Sequence, residues 1–363
     1  MFNKIIIYLF YSTSILHAIY GDKDFLLFLR IAQLFGLISF LRVLGFKGRR
    51  FFESKAVFRS NSFKILVLSL IGAFIIGIIN SRYNFLSNIY PLSFFGVSWL
   101  ICYIKPRKNV FILISLATFS LLFYYYLSGV NPTEWVKGSR NHVSVLALYI
   151  TIVPLLIHLL NNGKASLLLY IVLPFLCFML SVFAVGRSGI VTSFLLLGGN
   201  IFLYYKNHKH KFKILLLYSS FIILIFYFLL PNFQFFLDSY LYKFTTREFA
   251  LEDREDIIEL YLNKMDFLTS FFSINSLEMI SKNDLTLHNS YLHWHFAFGV
   301  FGLFILFISL KSLVKLFKIN KIYFLILAVV LLRSFTDQIL FSEGILLGLP
   351  FLLIISLIDF KFV

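Results

Sequence analysis

Apolar runs near the length that crosses a bilayer alternate with short polar punctuation along almost the whole chain. A spanning helix needs about 20 consecutive apolar residues. Windows 3–20, 24–45, 63–79, 85–104, 109–128, 142–160, 166–185, 188–205, 212–230, 290–310, 322–337 and 343–360 approach that length. They predict an all-α polytopic membrane protein of about 12 transmembrane helices. The first window is read as a span and not as a cleaved leader, because no small-x-small site follows a clean apolar core. One stretch breaks the rhythm. After Pro231, residues 232–287 form the one sizeable polar segment, so the chain divides into helices 1–9 (residues 1–231), a large loop (232–287) and helices 10–12 (288–363).

Composition agrees and charge adds direction. Hydrophobic residues make up 60% of the 363, and charged residues only 14%. With the N-terminus inside, the inner loops collect Lys47, Arg49, Arg50, Lys55, Arg59 and Lys64, then Lys206, Lys209, Lys211 and Lys213, then Lys311, Lys315, Lys318 and Lys321. Of the 17 acids, only Glu53 and Asp359 fall on that side. This is the positive-inside pattern, and it places both termini in the cytoplasm. The net charge of +16 is therefore mostly a topology signal, divided among short loops, and a nucleic-acid partner is not expected. Cys102 and Cys177 fall within spans and read as small apolar fillers, with no disulfide or metal implied.

The polar residues that bear chemistry gather on the outer side. In the turn VGRSGI, Arg187 stands between Gly186 and Gly189 at the start of the eighth helix, where free N–H groups and a guanidinium together favour an anion. Arg140 stands at the mouth of the sixth span. In the loop, Arg254, Ile257, Ile258, Tyr261 and Met265 recur at helical steps, predicting an amphipathic helix whose other faces are acidic. His288 opens the tenth window, followed by the capping residues Asn289 and Ser290, and shares a helical face with Tyr291 and His295. Histidine is the side chain most readily poised as a base near neutral pH. Three histidines (288, 293 and 295) with no carboxylate among them do not make a metal motif, so no metal is expected. Near the end of the eleventh window, Arg333 and Asp337 are spaced to pair across one helical turn.

Two motifs in this order, Gly186–Arg187–Ser188–Gly189 before the large loop and His288–Asn289–Ser290–Tyr291–Leu292 with Phe298–Gly299 and Gly302 after it, give the chain a family likeness from about residue 100 onward. It resembles the superfamily of O-antigen polymerases and O-antigen ligases. The resemblance implies a GT-C-like helical bundle with one large extracytoplasmic loop, seated in the bacterial cytoplasmic membrane. It further implies glycans carried on polyprenyl diphosphate as substrates, with neither nucleotide sugar nor cofactor. By this likeness Arg187 matches the arginine that holds the diphosphate, His288 the histidine of the active centre, and Arg254 the loop arginine, with Arg140 a looser match. Ile257 and Ile258 stand where the family carries an aromatic, which leaves Arg247 as an alternative to Arg254. Asn289 and Tyr291, beside the histidine, are expected to contact substrate.

Transfer from a lipid diphosphate needs cations for the leaving phosphate, a base for the acceptor hydroxyl and a slot for the lipid tail. Arg187 with Arg254, His288 and the bundle would supply these in turn. The expected activity is polymerisation of lipid-linked repeat units, with membrane lipids and a chain-length regulator as partners. Ligation of finished polymer to an acceptor is the alternative. A flippase is the less favoured reading, since no matching halves are visible and the polar residues lie at the outer face and not at midplane.

Overall fold

The computed structural model describes residues 2–20, 26–45, 61–79, 89–136, 140–161, 163, 166–207, 220, 258–259, 261–263, 265–272, 289–337, 340 and 346–361. Among them all regular structure is helical. The long helices are α1 (Phe2–Tyr20), α2 (Leu26–Gly45), α3 (Asn61–Ile79), α4 (Tyr90–Ile104), α5 (Lys108–Leu127) and α6 (Arg140–Leu160). A π-helical turn (Leu168–Val172) leads into α7 (Leu173–Phe183), followed by α8 (Arg187–Asn207). The loop contributes a short α9 (Phe267–Phe272). The C-terminal part consists of α10 (Ser290–Phe298), α11 (Val300–Ile319), α12 (Lys321–Thr336) and α13 (Gly348–Lys361).

Among the described residues, five helices are long and apolar enough to cross a membrane: Phe2–Tyr20, Lys108–Leu127, Asn141–Leu160, Arg187–Lys206 and Val300–Ile319. The protein is therefore a helical membrane protein. Shorter apolar helices lie within the windows 63–79, 85–104, 166–185 and 343–360, while the window 212–230, residue 220 apart, lies outside the described residues.

Burial separates an inner set from an outer one. In α6 the spanning window is 94% buried, against 28% in α5. The residues of α4 from Tyr90 to Cys102 are buried throughout, and α13 is buried from Gly348 to Ile358. These helices are apolar on every face, as a helix surrounded by protein must be. They form the core, with α13 packed on both α4 and α6. By contrast α11 exposes Leu303, Phe304, Phe307, Leu310, Val314 and Phe317 along one stripe, a face suited to lipid. Cys102 and Cys177 are buried, unpaired thiols.

The helices present two chemically different ends. Lys108 Nζ lies 2.9 Å from His158 Nδ1, which brings the start of α5 to the end of α6. Asn161 donates to the Pro106 carbonyl at 3.0 Å beside it. The start of α6, the start of α8 and the end of α12 gather at the opposite end, called the mouth below.

The window 290–310 does not form one span. Gly299 takes φ +56°, ψ −142°, closing α10 and opening α11 in a new direction. Gly302 then packs directly on the Trp294 carbonyl, leaving no room for a Cβ. In an unbroken helix these residues would stand about 12 Å apart along the axis. The spanning element is thus α11, of 20 residues, and α10 is a separate short helix beside α3, α11 and α12.

Gly302→Val should drive a side chain into backbone and cost about 1–3 kcal/mol, whereas Gly198→Ala in α8 meets open space. The latter should stabilise by roughly 0.5–1 kcal/mol. Thermal unfolding in detergent should move the two midpoints in opposite directions.

Candidate functional site

The mouth is built around a buried guanidinium. Arg333, in the last turn of α12, is 0% exposed, and Asp337, one turn on, is 16% exposed. Arg333 Nη2 approaches Asp337 Oδ2 to 3.3 Å, and Nη1 donates to Thr336 Oγ1 at 3.0 Å. The pairing expected from the spacing is thus present. Arg333 Nη2 also donates to the Asn141 carbonyl at 3.2 Å, which joins α12 to the start of α6. That third partner was not legible in the sequence, because it sits 192 residues away and is a backbone atom.

Two further helices reach the same place. Ser290 Oγ donates to the Asp337 carbonyl at 2.6 Å, and the Tyr291 hydroxyl donates to the Leu331 carbonyl at 2.5 Å. These two bonds staple α10 against the end of α12. Trp294 adds a third, from Nε1 to the Leu340 carbonyl at 3.2 Å. Asn289 caps α10, its Oδ1 accepting from the N–H groups of Tyr291 at 2.8 Å and Leu292 at 3.4 Å. The structure therefore gives Asn289 Oδ1 and the Tyr291 hydroxyl bonds within the protein, the former as the cap its sequence position predicts.

The start of α8 arrives by close packing. Gly189 lies against Ser144 of α6 so tightly that a Cβ would overlap the serine side chain. The preceding turn holds Val185 at φ +54°, a left-handed conformation that is strained for a β-branched residue. The turn places Arg187, exposed, as the first residue of α8. The chain bends this way because Val185 N–H finds the Val182 carbonyl at 2.9 Å and Ile190 N–H the Gly186 carbonyl at 2.9 Å. Arg140 is the first residue of α6.

Three helix N-termini, those of α6, α8 and α10, therefore converge around the Arg333 knot. A helix N-terminus leaves backbone donors unpaired unless it is capped, as Asn289 caps α10, and each carries the equivalent of roughly half a positive charge. Arg187 adds a full charge. The acid bonded into the knot, Asp337, is already neutralised by Arg333. The arrangement favours a large anion with several oxygens, such as a phosphate ester. His288, Arg247 and Arg254 lie outside the described residues, although Asn289, the residue after His288, stands at the mouth.

The loop also touches this end. Tyr261, fully buried, shares a hydrogen bond between its hydroxyl and His295 Nδ1, while His295 Nε2 donates to the Ser270 carbonyl at 2.8 Å. His295, which the sequence grouped with His288 on one helical face, thus holds loop residues on both of its nitrogens. The apolar face carrying Tyr261 was legible, and its partner was not. Asp266 and Thr269 close the start of α9 reciprocally, Thr269 N–H donating to Asp266 Oδ1 at 2.7 Å and Asp266 N–H to Thr269 Oγ1 at 2.7 Å. The backbone N–H of Thr269, followed by its hydroxyl, holds the Asp266 carboxyl below its ordinary range. Among the described residues, no three His, Cys, Asp or Glu side chains come together as a metal-ligand set.

No protein-family model matches this chain, and neither a curated protein nor a solved structure matches it.

Breaking the knot should be asymmetric. Asp337→Ala leaves a fully buried guanidinium without its carboxylate and should cost about 3–5 kcal/mol. Arg333→Met leaves an acid that water already reaches, and about 1–3 kcal/mol is expected. Denaturant or thermal unfolding of the two variants should rank them in that order.

Proposed function

We propose that this protein polymerises oligosaccharide repeat units carried on polyprenyl diphosphate, at the outer face of a bacterial cytoplasmic membrane. In this reading the bundle is GT-C-like with about 12 spans, the large loop faces outward and both termini face the cytoplasm. The observation that carries the reading is that the N-termini of α6, α8 and α10 gather at one end of the bundle, with Arg187 opening α8 and Asn289, the residue after His288, capping α10. Such a place suits a diphosphate whose lipid tail lies along the apolar helices.

The chemistry follows from that placement. An acceptor sugar hydroxyl attacks the anomeric carbon of the donor, and its proton passes to His288. The bond from that carbon to the phosphate oxygen breaks, and polyprenyl diphosphate leaves with the electron pair. Arg187, joined by Arg254 or Arg247 from the loop, would stabilise the charge appearing on the leaving oxygen. Arg140, Asn289 and Tyr291 would line the substrate side. Attack from the face opposite the diphosphate inverts the anomeric centre. The phosphate bond already activates the donor, so the reaction asks for no nucleotide and no cofactor, and a chain-length regulator would act as a separate partner. Resemblance to the O-antigen polymerase and ligase superfamily, carried by Gly186–Arg187–Ser188–Gly189 and His288–Asn289–Ser290–Tyr291–Leu292, supports the same reading.

Surface-polysaccharide electrophoresis of a deletion strain tests this directly. The strain should show a single repeat on the acceptor, and wild type should restore the ladder. His288→Ala should not restore it. Arg187→Ala should lose roughly 100-fold or more in chain extension, and Arg187→Lys should recover part. Long chains left on the carrier would instead identify a ligase, and single units held on the inner leaflet a flippase. An unchanged ladder in the deletion strain would refute all three.

A further inference from the structure

The short helix in the large loop faces the wrong way for a water-soluble segment. In α9, Phe267, Leu268, Phe271 and Phe272 are 77%, 64%, 44% and 59% exposed. Their spacing puts all four on one face of the helix, and the Phe267 and Phe271 rings pack against each other with centroids 5.1 Å apart. The polar residues of the same segment, Asp266, Thr269 and Ser270, bond to one another on the remaining faces. The segment is also fixed in place. Its start is capped, the Ser270 carbonyl is held by His295, and Tyr261 is tied to the same histidine. The exposure thus belongs to a folded, anchored element. Four large apolar side chains side by side in water would be a strong association site.

The neighbouring surface tells what covers them. α9 packs against α11, the spanning helix whose Phe304 and Phe307 are 43% and 60% exposed on its lipid-facing stripe. The apolar face of α9 thus sits on a helix that carries an exposed apolar stripe of its own, long and apolar enough to cross a membrane. The Phe and Leu side chains of α9 on one face, with polar residues on the others, match the apolar face of an interfacial helix.

We propose that α9 is a membrane-surface anchor, with Phe267, Leu268, Phe271 and Phe272 inserted among the lipids of the adjacent leaflet. The occupant is bilayer phospholipid. Inserted in this way, α9 pins the large loop beside the mouth and sets how far the loop stands above the bilayer, whatever reaction the mouth carries out.

Spin labelling of the full-length protein in phosphatidylethanolamine and phosphatidylglycerol vesicles tests this. Labels go one at a time on Phe267→Cys, Leu268→Cys, Phe271→Cys and Phe272→Cys, with the buried Cys102 and Cys177 replaced by Ala. Asn263→Cys, on the exposed side of the same segment, serves as reference. At the four α9 positions, collisions with lipid-soluble oxygen should exceed those with an aqueous nickel chelate several-fold, and the order should reverse at position 263. Nickel-dominated relaxation at the four positions would overturn the proposal, since the face would then be in water. Low collision rates with both reagents would overturn it too, showing that another stretch of protein covers the face. Oxygen-dominated relaxation at position 263 as well would contradict a one-sided anchor. Four independent positions, each first shown to elute as a monodisperse species, keep the outcome readable if one variant misfolds.

Discussion

A guanidinium with no exposure, that of Arg333 at the end of α12, is the constraint on which the mouth depends. Removing such a charge from water costs several kcal/mol unless its hydrogens are satisfied, and in an apolar bundle the partners must come from protein. Asp337 and Thr336 come from the same helix end and would be available in any arrangement. The Asn141 carbonyl is not local, so satisfying Arg333 fixes where α6 begins relative to α12. Ser290 then takes the Asp337 carbonyl, which fixes where α10 begins. One buried cation thereby sets the relative positions of two of the three helix N-termini, and the tight Gly189–Ser144 contact sets the third.

The sequence revealed those features that depend on composition and local period. Apolar windows found most of the helices, and the core helices α4, α6 and α13 are the ones whose apolar residues cover every face. The Arg333–Asp337 pair followed from its four-residue spacing, and Asn289 as a cap followed from residue type. What escaped was long-range or backbone-mediated. No pattern in the chain announces that a main-chain carbonyl 192 residues away accepts a bond from the arginine. Nor does one announce that His295 faces Tyr261 from the loop, because each residue simply looks apolar-face or polar in its own segment.

The error over 290–310 has a different origin. Hydropathy counts residues without regard to direction, and Phe296, Phe298 and Phe301 keep the average high through the break. Gly299 and Gly302 were both visible, but a glycine pair in an apolar run reads equally as close helix packing. Only the positive φ at Gly299, together with the contact from Gly302 to the Trp294 carbonyl, separates a turn from a continuous span. The consequence is functional as well as geometric. Because α10 ends after nine residues, its N-terminus stays at the mouth beside α12, while α11 alone crosses the apolar layer.

The two ends of the bundle also differ in how their cations are held. Away from the mouth, lysine predominates among the described residues, as at Lys4, Lys105, Lys108, Lys206, Lys318 and Lys321, with Arg42 and Arg107 among them. Lys321 is representative, with its ammonium 2.6 Å from the Phe317 carbonyl and over the Phe317 ring, as a chain-end cation does when it anchors a helix at an interface. At the mouth the described cations are arginines, Arg333 within the knot and Arg187 at the start of α8, with Arg140 opening α6. A lysine serves for anchoring, because a point charge on a flexible stem needs only water or headgroups. Arginine's planar fork is suited to binding several oxygens at once, as Arg333 does with Asp337, Thr336 and Asn141. If charge were placed only to orient the helices, either residue would do at either end. Arg42 and Arg107 stand among the lysines at the other end, so residue type alone does not set the mouth apart; what distinguishes it is a guanidinium, that of Arg333, which is fully buried and holds several oxygens at once.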